Sequence, residues 1–218
     1  MWKCNLTTNI IPTSAEAWEP FSVVETIQNL IKIQWSEFMG LIHVQSQNEH
    51  AILSETILQK KFNDKMKVLQ INQKEIEIVT FSNDKYISKK IELDHNTKGI
   101  SIYNKMMLCW NGSMAYLYKV DLTDISMNLE NTFNLRSNLM ALNEDSIIVA
   151  ITKSIEIYSY QGELKDNISM DLRYGEIIIF NTTGKYLLVC TSNNYYGVYD
   201  ISRRNLKPIV LFRKFEKN

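Results

Sequence analysis

The chain has 218 residues, of which 45% are hydrophobic and 22% charged, with only 7 Gly and 3 Pro, a composition that excludes collagen-like and low-complexity disordered chains. Lys plus Arg and Asp plus Glu are both 24, so the formal net charge is +0, no positive field condenses onto phosphate, and nucleic acid is not an expected partner. The length sets one domain or a little more, and Cys4, Cys109 and Cys190 are too few and too far apart for a disulfide framework or a zinc module, which fits a reducing compartment.

In chain order, the opening Met1-Trp2-Lys3-Cys4 segment carries one lysine and no apolar run of signal-peptide length. No stretch of about 18 apolar residues follows anywhere, so no membrane-spanning helix is expected. Residues 12–20, bounded by Pro12 and Pro20, read as an extended loop or linker, which places a boundary near Val24. From Leu30 onward, short runs rich in Ile, Val, Leu and Tyr alternate with Asn, Asp, Ser, Gly and Lys clusters, the pattern of antiparallel strands and tight turns. Predicted strands cover 30–35, 41–45, 57–62, 66–71, 75–81, 86–93 and 99–103, and none has a sustained helical period.

Segments 108–118, 149–158 and 189–199 superimpose as strand, polar turn and strand ending in Tyr. The terminal tyrosines Tyr118, Tyr158 and Tyr199 stand 40 and 41 residues apart, within the roughly 40–45 of a WD-type propeller blade. Each unit is preceded by an apolar strand (99–103, 138–142, 176–181) and followed by another (127–133, 164–170, 207–215), giving four strands per unit. The Trp-Asp dipeptide is absent, its nearest relative being Tyr199-Asp200. Before Leu93 the reading is of one full blade over 30–62 and a shortened one over 66–93. The expected fold is therefore all-β, a WD40-type β-propeller forming an incomplete ring of four-stranded blades, about five units against the usual 4–8. Runs such as 147–151 and 186–190 are expected as strands buried on both faces. The open edges of such a ring make the isolated chain prone to aggregate or to pair with another chain.

Candidate chemistry is thin. The glycines stand singly, so no dinucleotide or P-loop motif can be written, and no cofactor or small-molecule substrate is expected. His43, His50 and His95 lack metal-site spacing and read as surface or turn residues, and Cys109 and Cys190 as buried structural thiols. Asn5, Asn111, Asn167 and Asn181 open N-x-Ser/Thr triplets of the kind that arise by chance in such a composition. Acids including Glu75, Glu77, Asp94, Asp121, Asp124, Glu144 and Asp145 fall in turns or on alternating positions, the default for solvated faces. Tyr195, Tyr196 and Tyr199 suit a binding surface; alternation places Tyr195 and Tyr199 on one face and Tyr196 on the other, so part of the group is expected between blades. Arg203 and Arg204, in a polar connection between two strands of one blade, suit an acidic partner. The candidate interface is thus Tyr195, Tyr199, Arg203 and Arg204, with no catalytic or metal residues.

Met1-Trp2-Lys3, Ile31-Lys-Ile-Gln-Trp35, Ala51-Ile-Leu-Ser-Glu55, Trp110-Asn-Gly112 with Ala115-Tyr-Leu-Tyr118, and Tyr199-Asp-Ile-Ser-Arg-Arg204 form an ordered set over nearly the whole chain. This set resembles the WD-repeat region of the intraflagellar transport protein 140 family, the scaffold subunit of ciliary transport complex A. The resemblance implies two propellers followed by helical repeats, with residues 1–25 the end of the first propeller plus a linker and 26–218 the first blades of the second. It also implies a non-enzymatic scaffold in the cytoplasm and cilium, at the ciliary base and axoneme, supporting retrograde transport and membrane-cargo entry. Its partners would be other complex A subunits and ciliary cargo adaptors, without insertion into membrane. A different propeller adaptor, of a vesicle coat or a ubiquitin ligase, shares the fold without the ordered motifs. A propeller hydrolase or lyase would need convergent carboxylates or histidines at the channel mouth.

Overall fold

The computed structural model describes residues 2–4, 18–20, 29–36, 41–54, 58–82, 85–152, 154–202 and 208–214. The chain divides into two compact units, Met1–Thr56 and Ile57–Asn218. In the first, β1 (Trp2–Cys4) pairs antiparallel with β2 (Trp18–Pro20), and β3 (Lys32–Ser36), β4 (Leu41–Gln45) and β5 (His50–Ser54) form a three-stranded meander. The expected boundaries near Val24 and after residue 25 lie outside the described residues.

The second unit is four consecutive four-stranded antiparallel blades. Blade one is β6 (Lys60–Phe62), β7 (Met66–Gln70), β8 (Glu75–Ser82) and β9 (Lys85–Glu92). Blade two is β10 (Gly99–Tyr103), β11 (Met106–Trp110), β12 (Ala115–Asp121) and β13 (Ser126–Phe133). Blade three is β14 (Met140–Leu142), β15 (Ser146–Ile151), β16 (Ser154–Ser159) and β17 (Leu164–Ser169). Blade four is β18 (Ile177–Thr183), β19 (Tyr186–Thr191), β20 (Tyr195–Asp200) and β21 (Pro208–Lys214). The all-β, WD40-type propeller class read from the repeat is what these sheets build.

The register before Leu93 differs from the sequence reading. Segment 57–62 does not close a blade begun at Leu30: β6 pairs with β7, so residues 60–92 make a complete four-stranded blade rather than a shortened one. Its first strand has three residues and two lysines, Lys60 and Lys61, and so carries almost no apolar alternation by which to place it.

Alternation along the middle strands assembles the blades. In β11, Met107 and Cys109 point back into a cluster with Val68, Ile76 and Ile78 of blade one, while Leu108 and Trp110 point forward to Met140, Leu142 and Ile147 of blade three. In β15, Ile147 and Val149 join that second cluster, and Ile148 turns the other way to meet Leu187, Val189 and Tyr199 of blade four. Each fully buried Ile or Leu contributes about 1.5–3 kcal/mol relative to exposure.

Polar tethers fix the innermost strands. Asn63 Nδ2 donates to the Asn104 carbonyl at 2.9 Å, the Leu142 N–H to Ser101 Oγ at 2.9 Å, and Thr182 Oγ1 to the Leu142 carbonyl at 3.0 Å, linking the four blades in order. Turns are held by side chains acting as local acceptors. Asn111 Oδ1 accepts from the N–H groups of Ser113 and Met114, and Asp121 and Asp200 each accept from the N–H two residues on.

Gly99 marks the tightest approach. It pairs with Trp110, and an added Cβ would stand 2.2 Å from the indole ring, whose Nε1 donates to the Asn138 carbonyl at 3.0 Å. Gly99→Ala is expected to lower stability by at least about 1–3 kcal/mol through displacement of that indole. Urea denaturation followed by tryptophan fluorescence reads the loss, and an unchanged midpoint would contradict the packing described.

Candidate interaction surfaces

An up-and-down blade has two ends. The turn between its second and third strands lies at the same end as the loop leading to the next blade, and its other two turns lie at the opposite end. Tyr195 opens β20 at the first of these ends. Its ring meets Tyr174 edge-on at 5.1 Å and 60°, and Tyr174 closes a single 3-10 turn, Leu172–Tyr174, in the loop between blades three and four.

This loop is pinned at each step. Asp171 caps the turn by accepting from the Arg173 N–H at 2.9 Å, and its other oxygen takes the Arg173 guanidinium at 2.6 and 2.9 Å, which holds the Asp171 carboxyl below the usual carboxylate range. Asn193 Nδ2 donates to the Arg173 carbonyl at 3.1 Å, and Thr191 Oγ1 to the Tyr174 carbonyl. Gly175 at φ 84 lets the backbone pass within a Cβ's reach of Ser192 Oγ. The result is a fixed rim in which the Arg173 side chain is 83% exposed beside Leu172, Tyr174 and Tyr195. Arg and Tyr on a rigid support are the chemistry of an interaction hot spot.

Of the residues expected at an interface, Tyr195 stands on this rim, half-buried. Tyr199 shares its face of β20, as alternation requires, but is 3% exposed in the core between blades three and four, with its hydroxyl facing Met170 Sδ at 3.9 Å and burial pushing its pKa up to about 12. The structure therefore places Tyr199 beneath the surface, with about 17 Å of strand between the Tyr195 and Asp200 positions. Arg203 and Arg204 lie outside the described residues. The rim itself escaped the sequence reading, since Asp171–Gly175 and Ser192–Tyr195 are brought together only by folding; the capping pattern Asp-Leu-Arg-Tyr was the available signal.

At the opposite end, a cavity of about 700 Å³ opens among the turns of blades one, two and four. Lys60, Lys61 and Lys65 line it against the single acid Asp64. A smaller cavity of about 260 Å³ lies between blades three and four near Arg136 and Glu176.

His43 Nε2 and His50 Nδ1 are 3.2 Å apart, and among the described residues no three His, Cys, Asp or Glu side chains are grouped to hold a metal ion. Cys109 and Cys190 are buried, with the Cys109 thiol pushed up to about 12. No helix among the described residues is long and apolar enough to cross a membrane.

His95 lies in the bend between β9 and β10, as a turn residue, and is half-buried and bonded there. Its ring stacks on Tyr116 at 3.6 Å, and its Nε2 lies 2.9 Å from the Tyr118 hydroxyl. Nδ1 faces the Asn96 carbonyl at 3.1 Å, and a carbonyl only accepts, so Nδ1 carries the proton and Nε2 accepts from Tyr118. A second proton on Nε2 would remove that acceptor, and burial lowers the pKa from 6.5. The unfolded chain therefore takes up this proton at higher pH than the folded chain. The neutral imidazole's contribution is fully present above about pH 6.5 and is lost progressively as pH falls from that value through the lower pKa of the folded chain. Urea midpoints taken from about pH 8 to about pH 5 should decline on the acid side, with a shallower decline in His95→Gln; parallel profiles would exclude the effect.

The family model for the IFT140 second beta-propeller matches residues 64–218. Among solved structures, two of Kluyveromyces lactis Hsv2 are similar at 13% and 15% identity, each with a TM-score of 0.50, covering 83% and 82% of this chain and 63% and 64% of theirs. The Neurospora crassa Pan2 WD40 domain is similar at 12% identity and a TM-score of 0.47, covering 84% of this chain and 66% of its own. This chain thus spans less than two thirds of the length of these structures, and at such identities the Hsv2 likeness shows the fold alone. The family match takes in nearly all of the four blades described above, and the chain belongs to the IFT140 second beta-propeller family.

Proposed function

We propose that this chain is a non-enzymatic scaffold segment of intraflagellar transport complex A. In this reading it supports retrograde ciliary transport, cilium assembly and ciliary entry of membrane cargo through contacts made by its propeller surfaces. The observation that carries the reading is the family match over residues 64–218, and the fixed rim of Arg173, Tyr174 and Tyr195 gives it a surface able to bind protein. Residues 1–25 are assigned to the end of a first propeller plus linker, and 26–218 to the first blades of the second; the family match falls wholly within the latter.

The partners are other complex A subunits and ciliary cargo adaptors, met in the cytoplasm, at the ciliary base and along the axoneme. Cofactor, small-molecule substrate and nucleic acid play no part in this mechanism. Tyr195, whose ring meets Tyr174, is assigned to one contact, with Tyr199 on the same face of its strand in the core, and Arg203 and Arg204 to another with an acidic partner. A rim already held by its own hydrogen bonds loses little conformational freedom on binding, which favours affinity.

Affinity capture of the tagged chain from ciliated cells, followed by identification of co-purifying proteins, tests the proposal. Complex A subunits are expected. Arg173→Glu with Tyr195→Ala, and separately Arg203→Glu with Arg204→Glu, should each lower their recovery several-fold while circular dichroism stays unchanged. Recovery of coat or ubiquitin-ligase components instead would overturn the transport assignment.

A further inference from the structure

The fourth, outermost strands of the blades are not alike. In blades two, three and four the ladder to the last strand slips beside a tyrosine, at Leu117/Tyr118, Ile157/Tyr158 and on both sides of Val198 before Tyr199. Blade one has no such slip: β8 and β9 pair without interruption from Glu75↔Glu92 to Ser82↔Lys85, with Val79 at the position those tyrosines occupy. A bulge bends an edge away from further pairing, so β9 is the outer strand that lacks this protection. It has eight residues, all exposed except Ile91, and among the described residues no strand pairs with its outer side. At the turn end, Phe81 and Tyr86 pack at 5.0 Å and 53° while remaining 59% and 80% exposed.

The side chains along this edge follow a readable pattern. One face presents Lys85, Ile87, Lys89 and Ile91, and the other Tyr86, Ser88, Lys90 and Glu92. A second copy paired edge to edge about Lys89 would set lysine against lysine, which disfavours self-pairing. Lys90 stands opposite Glu77 on β8, and Lys89 Nζ reaches the Asp124 carbonyl at 3.5 Å. An added strand with acids opposite Lys85, Lys89 and Lys90 and apolar side chains opposite Tyr86, Ile87 and Ile91 would pair the open backbone edge and bring carboxylates to the three exposed lysines.

We propose that β9 is a docking edge for an extended segment of a partner protein with acids opposite Lys85, Lys89 and Lys90 and apolar side chains opposite Tyr86, Ile87 and Ile91, added as a fifth antiparallel strand to blade one. The main chain supplies affinity, and the three lysines select an acidic strand over a basic or self-complementary one. The inference does not depend on the transport reading, since it rests on this edge alone.

The test uses the full 218-residue chain and the synthetic peptide Lys-Val-Glu-Glu-Thr-Val-Tyr-Glu, antiparallel to β9, with a control in which every Lys becomes Glu and every Glu becomes Lys. Fluorescence anisotropy reads affinity, and hydrogen exchange by mass spectrometry reads where the peptide sits. Binding of the acidic peptide with slowed exchange over residues 85–92 is expected, with at least tenfold weaker binding of the control. Lys85→Glu with Lys90→Glu, on exposed side chains, should reverse that preference. Binding without slowed exchange at 85–92, equal affinity for both peptides, or no binding at about 1 mM peptide would overturn the proposal.

Discussion

A four-stranded sheet with apolar side chains on both faces cannot hide them alone, and this constraint governs the second unit of the protein. The middle strands answer it by sending alternate residues to opposite neighbours, as Met107 and Cys109 do against Leu108 and Trp110. Blades two and three are therefore not separable modules, because the same strand closes two cores. The side-chain tethers from Asn63 to Asn104, Ser101 to Leu142 and Leu142 to Thr182 join neighbouring blades beside the apolar clusters, and the buried Ser101–Leu142 bond satisfies groups that stacking removes from water.

How far the sequence disclosed this follows from where apolar side chains sit. Tyr118, Tyr158 and Tyr199 revealed the blade period because each stands at the same place in an alternating third strand, and residues 147–151 of β15 are an uninterrupted apolar run. Lys60–Phe62 reads as a strand but not as the first of its blade, because three residues with two lysines carry no period, and this shifted the first blade by one strand. Alternation correctly put Tyr195 and Tyr199 on one face but could not say that one lies on the rim and the other 3% exposed within the core. The role of His95 and the Asp171–Gly175 rim depended on residues about 20 apart meeting in space, for which local pattern has no signal.

The surfaces suited to binding share a mode of construction. At the rim, charge and aromatic area are displayed on a loop whose carbonyls and N–H groups are already bonded within the chain. Along β9, the display is backbone itself, and specificity comes from lysines at spaced positions. Both leave the interior untouched, so partner choice is free to diverge without loss of the fold.

The three repeat tyrosines occupy equivalent places, yet their hydroxyls meet different groups: His95 for Tyr118, Glu156 for Tyr158 and Met170 for Tyr199. Arrays of near-identical units are liable to misassembly, in which a strand inserts into the wrong unit. Here a strand exchanged between blades two and four would carry its tyrosine to a mismatched receptor, an imidazole acceptor replaced by a thioether or the reverse, whereas Tyr158 brings its acceptor Glu156 on its own strand. The divergence that makes the repeat hard to recognise thus gives blades two and four distinct chemical addresses.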